Sequence, residues 1–181
     1  MDILLEKVRT FARHLGVDAC AEFEAKSLVP EQRVRDYCLD NICRNYNGNY
    51  MCPPYIGSLT EVEARLKKYQ RGILLQYTKP LNVHNDTQGV EQTKVDFHRK
   101  ILRLEDFLRS EGIKKVWGLI GGSCSLCEVC GAKLDKPCPH PEQARTSLES
   151  ISIDVMALLD RFGLDKGFHA DKITWTGCLL F

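Results

Sequence analysis

Four cysteines fall within fifteen residues of a 181-residue chain: Cys124, Cys127 and Cys130 at three-residue spacing, then Cys138-Pro139. The pattern is C-x2-C-x2-C-x7-C-P. A thiol at every third position lets one tight loop aim three sulfurs at a common centre. This group is the second block along the chain; the first, Cys38, Cys43 and Cys52-Pro53-Pro54, reads C-x4-C-x8-C-P-P. Nine cysteines in all is a high count, and a reducing compartment does not keep them as structural disulfides, so they point to metal or redox chemistry.

For the second block an iron–sulfur cluster is the first reading. Bacterial ferredoxins hold cubane clusters with C-x2-C-x2-C-x3-C-P. The seven residues before Cys138 exclude that same module. Gly121, Gly122 and Gly131 would let backbone approach a bulky inorganic group closely. Zinc is the competitor, because four thiolates close a tetrahedral structural site. Zinc modules, however, usually present two separate C-x2-C knuckles. A set of buried free thiols is the plain alternative, and a loop this rich in Cys, Gly and Pro speaks against it.

The first block is weaker alone and gains from its neighbour. A five-residue separation cannot place Cys38 and Cys43 on one helical face, so one of them belongs to irregular backbone. Asn47-Gly48-Asn49 supplies turn chemistry to bring Cys52 back toward them. The spacing does not match the C-x3-C-x2-C of radical enzymes that use S-adenosylmethionine. Three thiolates leave a cluster one ligand short. Cys20 or Cys178 could supply it, although their strand patterns favour the core; water, a substrate or ligand exchange with the other block could also do so. One larger cluster spanning both blocks is a further arrangement.

The elements that must position these loops read as a single α/β domain over residues 1–181, a sheet of about four strands with flanking helices and the cysteine clusters in loops at one end of the sheet. Residues 1–16 form a first helix, with Ile3, Leu4, Val8, Phe11 and Leu15 on one face and Gly16 at its end. Strands are expected over 19–29, over Ile73–Tyr77, over Lys115–Ile120 and over Ile173–Leu180. Helices are expected near 59–70, over 91–110 and over 147–162, the last opened by a Thr146/Glu149 capping box. The cysteine blocks then occupy residues 38–54 and 121–141.

Composition narrows the function classes. Lys+Arg 25 against Asp+Glu 24 leaves a net charge of +1, without the basic field that nucleic acid or an anionic membrane requires. No apolar run approaches the ~20 residues of a membrane span, and the acidic start Met1-Asp2-Ile3-Leu4-Leu5-Glu6 is unlike a signal peptide. A cytoplasmic location follows. Gly118-x2-Gly121-Gly122 leads into cysteines and is no phosphate loop. No Ser/His/Asp arrangement or dinucleotide fingerprint occurs.

Other polar residues carry ordinary readings. His140, beside Cys138, is either a loop histidine or a ligand, while His98 in Asp96-Phe97-His98-Arg99-Lys100 is expected in solvent. Arg145, Ser147 and Glu149 should start a helix near Cys138, where Arg145 or the helix amides could stabilise an anionic cluster. Asp154 reads as a buried polar group with a structural partner. Tyr46, Tyr50 and Tyr55 could shield a cluster, and Trp117 and Trp175 are assigned to the core.

Together, the two cysteine blocks, Pro137-Cys138-Pro139-His140-Pro141, Arg145-x-Ser147-x-Glu149 and Ile153-Asp154-Val155 resemble a family of predicted metal-binding proteins, a domain of unknown function found mainly in anaerobic bacteria and archaea. The resemblance spans about residues 15–181, with Thr146 where Pro is expected. It implies iron–sulfur ligands at Cys38, Cys43, Cys52, Cys124, Cys127, Cys130 and Cys138, and it brings no reaction. The expected function is a redox protein of anaerobic metabolism with one or two clusters, most simply [4Fe-4S]. It would exchange electrons with a partner protein or bind a small molecule at an open iron, and a homodimer is compatible with it. A structural zinc protein serving as an interaction scaffold is the alternative.

Overall fold

The computed structural model describes residues 2–166 and 169–181. It contains a four-stranded sheet in the order β1-β2-β4-β3. The strands are β1 Ala19–Glu24, β2 Arg71–Pro80, β3 Trp117–Leu119 and β4 Lys172–Leu180. Every neighbouring pair is antiparallel, so β2 and β3 run the same way with β4 between them. The helices are α1 Ile3–His14, α2 Gln32–Leu39, α3 Leu59–Leu66, α4 Thr87–Ser110 and α5 Val155–Phe162.

The run Ile73-Leu74-Leu75 in β2 is apolar at every position because the central strand is buried on both faces. Ile73, Leu75 and Tyr77 face α1 and α4, where they meet Val8, Ala12, Phe97, Ile101 and Leu104. Leu74 faces the other layer, with Val62, Leu66, Leu148, Ile151, Leu158 and Leu159. The α4 stripe of Phe97, Ile101, Leu104 and Leu108 is fully buried, as its spacing predicts. Each such side chain contributes about 1.5–3 kcal/mol.

Capping sets the helix boundaries. Ser58 and Glu61 form a capping box that opens α3, which ends at Leu66, earlier than expected. Gly163, at φ 61°, closes α5 in the left-handed region that glycine favours. The strand expected over 19–29 stops at Glu24 and gives way to a short turn of 3-10 helix at Ala25–Ser27.

Three expectations are corrected. The helix expected over 147–162 begins only at Val155. Residues 147–152 instead turn beneath the sheet, with Ser147 bridging to Ile120 and Ser152 at φ 71°. Asp154 is the true N-cap, accepting from the Ala157 N–H at 2.9 Å and pairing with Arg33 at 2.5 Å. His98 is 1% exposed, not solvated, with Nε2 2.9 Å from the Gln143 carbonyl. Trp175 is only half-buried, its indole N–H donating to the Thr93 hydroxyl at 3.0 Å, whereas Trp117 is core. Helix α2 had no counterpart among the predicted elements.

Candidate metal centre

The second cysteine block leaves the carboxyl end of β3. Ile120 donates to the Thr146 carbonyl at 2.9 Å, and Gly121 then passes so close to β4 that a Cβ there would lie 3.0 Å from the Thr176 carbonyl oxygen. At Gly131 a Cβ would lie 2.4 Å from the Lys136 carbonyl oxygen. Gly121 and Gly131 therefore also admit the protein's own backbone.

Cys124, Cys127, Cys130 and Cys138 are half-buried and line one cavity of about 210 Å3 with Asn49 and His140. Burial pushes the Cys124 thiol up, and the nearby backbone N–H groups of Leu126 and Arg145 partly offset this. Cys127 is also pushed up, by burial and by the neighbouring Cys138 and Cys130. Such thiols stay protonated when bare and become ligands when a cation offsets their mutual repulsion.

The first block is split as its spacing requires. Cys38 sits in the last turn of α2, and Cys43 lies exposed in the turn that follows. Asn41 at φ 52° and Asn47 at φ 51° reverse the chain in the left-handed region that asparagine tolerates. Cys52 is buried, accepts from the Ser150 hydroxyl at 3.6 Å, and has its thiol pushed up to about 11 by burial. Burial also raises Cys38, and the nearby Arg35 partly opposes this. Cys38, Cys43 and Cys52 line a second cavity, about 590 Å3, together with Lys94, Glu149 and Trp175.

The two cavities adjoin. The Asn49 side-chain amide donates to the Cys124 carbonyl at 2.9 Å, and the Thr146 hydroxyl donates to the Met51 carbonyl at 2.8 Å. The Tyr50 hydroxyl reaches the Lys136 carbonyl at 2.8 Å. Cys52 lies close enough to feel the charge of Cys124. Tyr50 and Tyr55 stack edge to face at 5.0 Å, Tyr50 beside the four-cysteine cavity, and Tyr46 borders the other.

Cys20 and Cys178 stand apart. Cys178 is fully buried in β4, where its thiol is pushed far up by burial, and Cys20 packs against the α1–α4 core. Neither lines either cavity. Within each block the thiols surround a space and do not meet at a point. Among the described residues, no three His, Cys, Asp or Glu side chains come close enough to share one metal ion.

Sequence reasoning missed Asn49, Thr146, Ser150 and Lys94. Asn49 was legible only as a turn residue, and Lys94 only as one charge in a polar helix. Among the described residues no helix is long and apolar enough to cross a membrane.

Comparison with curated proteins and with solved structures returned no match. The family described as "Predicted metal-binding protein (DUF2284)" matches residues 21–181, a span that holds both cysteine blocks and leaves out Cys20. With seven cysteines around two adjoining cavities and a match over most of its length, the chain belongs to this predicted metal-binding protein family.

Proposed function

We propose that this protein is a cytoplasmic iron–sulfur protein of anaerobic metabolism. In this reading Cys124, Cys127, Cys130 and Cys138 hold one [4Fe-4S] cluster, and Cys38, Cys43 and Cys52 hold a second. The observation that carries it is the 210 Å3 space ringed by four thiols. A single zinc draws its sulfurs to ~2.3 Å from one point, a tighter convergence than these loops adopt. The residues fit a larger group, because four thiols spread around one cavity can each reach a different corner of it.

A bound cluster supplies one-electron chemistry. The chain's own contribution is to hold two centres side by side, to exclude bulk water with Tyr50 and Met51, and to set each centre's charge through hydrogen bonds. Ile42, Val129 and Leu134 are exposed on the cysteine loops and offer apolar contact to an electron-transfer partner, whose interface is typically small. The near-neutral charge favours a protein or small-molecule partner over nucleic acid or a membrane surface.

The test is anaerobic purification followed by measurement of iron, acid-labile sulfide and zinc, with an electron paramagnetic resonance spectrum after dithionite. About eight irons with matching sulfide are expected for two cubanes. Stoichiometric zinc without sulfide would replace this reading with a structural scaffold.

A further inference from the structure

The two cysteine groups are unequal. One has four thiols around 210 Å3, the other three thiols around 590 Å3. Cys178 is buried in the core, Cys20 is half-buried against it, and neither lines this cavity, so they cannot complete the smaller set. Among the described residues lining the larger cavity, the donors other than thiols are Glu91, Glu149, Asn45, Tyr46 and serine hydroxyls. Glu91 is committed, since both its oxygens hold the Lys94 ammonium, at 2.9 and 2.8 Å. Amides and neutral hydroxyls are weaker ligands than a carboxylate. Elimination leaves Glu149.

We propose that the Glu149 carboxylate is the non-cysteine ligand of the centre held by Cys38, Cys43 and Cys52. This assignment rests on the iron–sulfur reading given above. Glu149 lines the cavity together with all three cysteines, and Cys38 is near enough to feel its charge. Its side chain is exposed at that cavity, so the carboxylate is open to an incoming metal. Among the described residues it has no ion-pair partner. A bound cation supplies what the protein withholds.

The Arg145-x-Ser147-x-Glu149 motif thereby gains one role per residue. Arg145 holds the Glu105 carboxylate, Ser147 donates to the Ser150 hydroxyl that in turn reaches Cys52, and Glu149 ligates. An oxygen ligand exchanges more readily than a thiolate, and the cavity beyond it has the volume of a small-molecule site. The centre is therefore the one at which a small oxygen-donor ligand, such as a carboxylate, would replace Glu149.

The experiment compares the full chain with Glu149→Gln and Glu149→Cys after anaerobic reconstitution with ferrous iron and sulfide. It reads iron per chain, the resonance spectrum after dithionite, and the rate at which ferricyanide removes one iron. Circular dichroism of the metal-free proteins checks that each variant folds. Glu149→Gln should lose that iron roughly tenfold faster than wild type and Glu149→Cys roughly tenfold slower, the scale on which changes around a metal act. Both should alter one of the two spectral components. Unchanged spectra and release rates in both variants, with iron and sulfide intact, would overturn the assignment alone. Zinc without sulfide in all three proteins would remove the cluster reading and this ligand with it.

Discussion

Glu105 and Arg145 face each other through two parallel hydrogen bonds, each 2.7 Å long. The glutamate side chain is 1% exposed and the arginine 15%. Arg109 at 2.7 Å and the Gly118 N–H at 2.6 Å complete the shell around the carboxylate. One residue of α4 thus locks together the start of β3 and the segment that returns from Cys138. The Arg145 backbone lies near the Cys124 sulfur, so this ion pair also steadies a segment beside the candidate centre.

Removing one partner of this pair should be costly, because the other stays buried and uncompensated. Glu105→Ala is expected to destabilise the metal-free protein by about 3–5 kcal/mol, and the midpoint of thermal unfolding should fall on the order of ten degrees. Burial pushes the Glu105 carboxyl up, but Arg145, Arg109 and the Gly118 N–H outweigh it and hold the value below the ordinary one. The stabilisation is then complete above the unfolded-state value near ~4.3 and is lost as pH falls through the lowered one. Urea midpoints measured from pH 7 to pH 3 should show that loss in wild type and a smaller one in Glu105→Gln.

Ser150 offers a subtler handle. Its hydroxyl donates to Cys52 at 3.6 Å, and hydrogen bonds to cluster sulfurs favour the reduced, more negative state. Ser150→Ala should lower the reduction potential of the three-cysteine centre and leave the other where it is, at a stability cost of about 1 kcal/mol. A redox titration followed by electron paramagnetic resonance separates the two components. Equal movement of both would show that the hydroxyl does not act locally.

His98 predicts a second pH effect, nearer neutrality. Burial holds its imidazole below the ordinary value, while the unfolded chain takes up a proton near ~6.5. Stability should therefore fall as pH drops from that value to the lowered one, by about 1.4 kcal/mol per pH unit crossed. Below the lowered value the slope from this residue ends. In His98→Gln, which can still donate to the Gln143 carbonyl, the difference in urea midpoint between pH 7.5 and pH 5.5 should shrink.

The two centres should be separable by substitution. Cys43 is exposed and Cys130 half-buried, so neither replacement opens a core cavity. Cys43→Ala and Cys130→Ala should each retain about half of the wild-type iron, with different halves of the spectrum surviving. Loss of all iron in both would favour one large cluster spanning both blocks.

The layout of the fold was readable where spacing and burial agree. Phe97, Ile101, Leu104 and Leu108 mark the buried face of α4, and Cys20 and Cys178 read as core for the same reason. The failures share a cause: Lys94, His98 and Glu105 lie on that same buried face, but each looks like a solvent residue until a partner distant in sequence is known. Gln143 satisfies one and Arg145 another. The helix expected over 147–162 failed because Leu148, Ile151 and Val155 fit helical spacing while a sheet bridge at Ser147 and a left-handed Ser152 impose a turn. Within the candidate site, cysteine spacing gave the two groups, whereas their adjacency depends on Asn49, legible only as a turn residue, and on Thr146, whose spacing read as a helix cap.

The Thr146–Met51 and Asn49–Cys124 hydrogen bonds have a consequence for assembly. Each cysteine loop forms part of the wall of the other's cavity, so filling either one stiffens residues that the second must also order. Whichever centre is inserted first lowers the entropic cost of the next, which makes loading cooperative. In wild type, half-filled chains should then be scarcer during maturation than independent loading would leave them, while a variant that has lost one centre still loads the other.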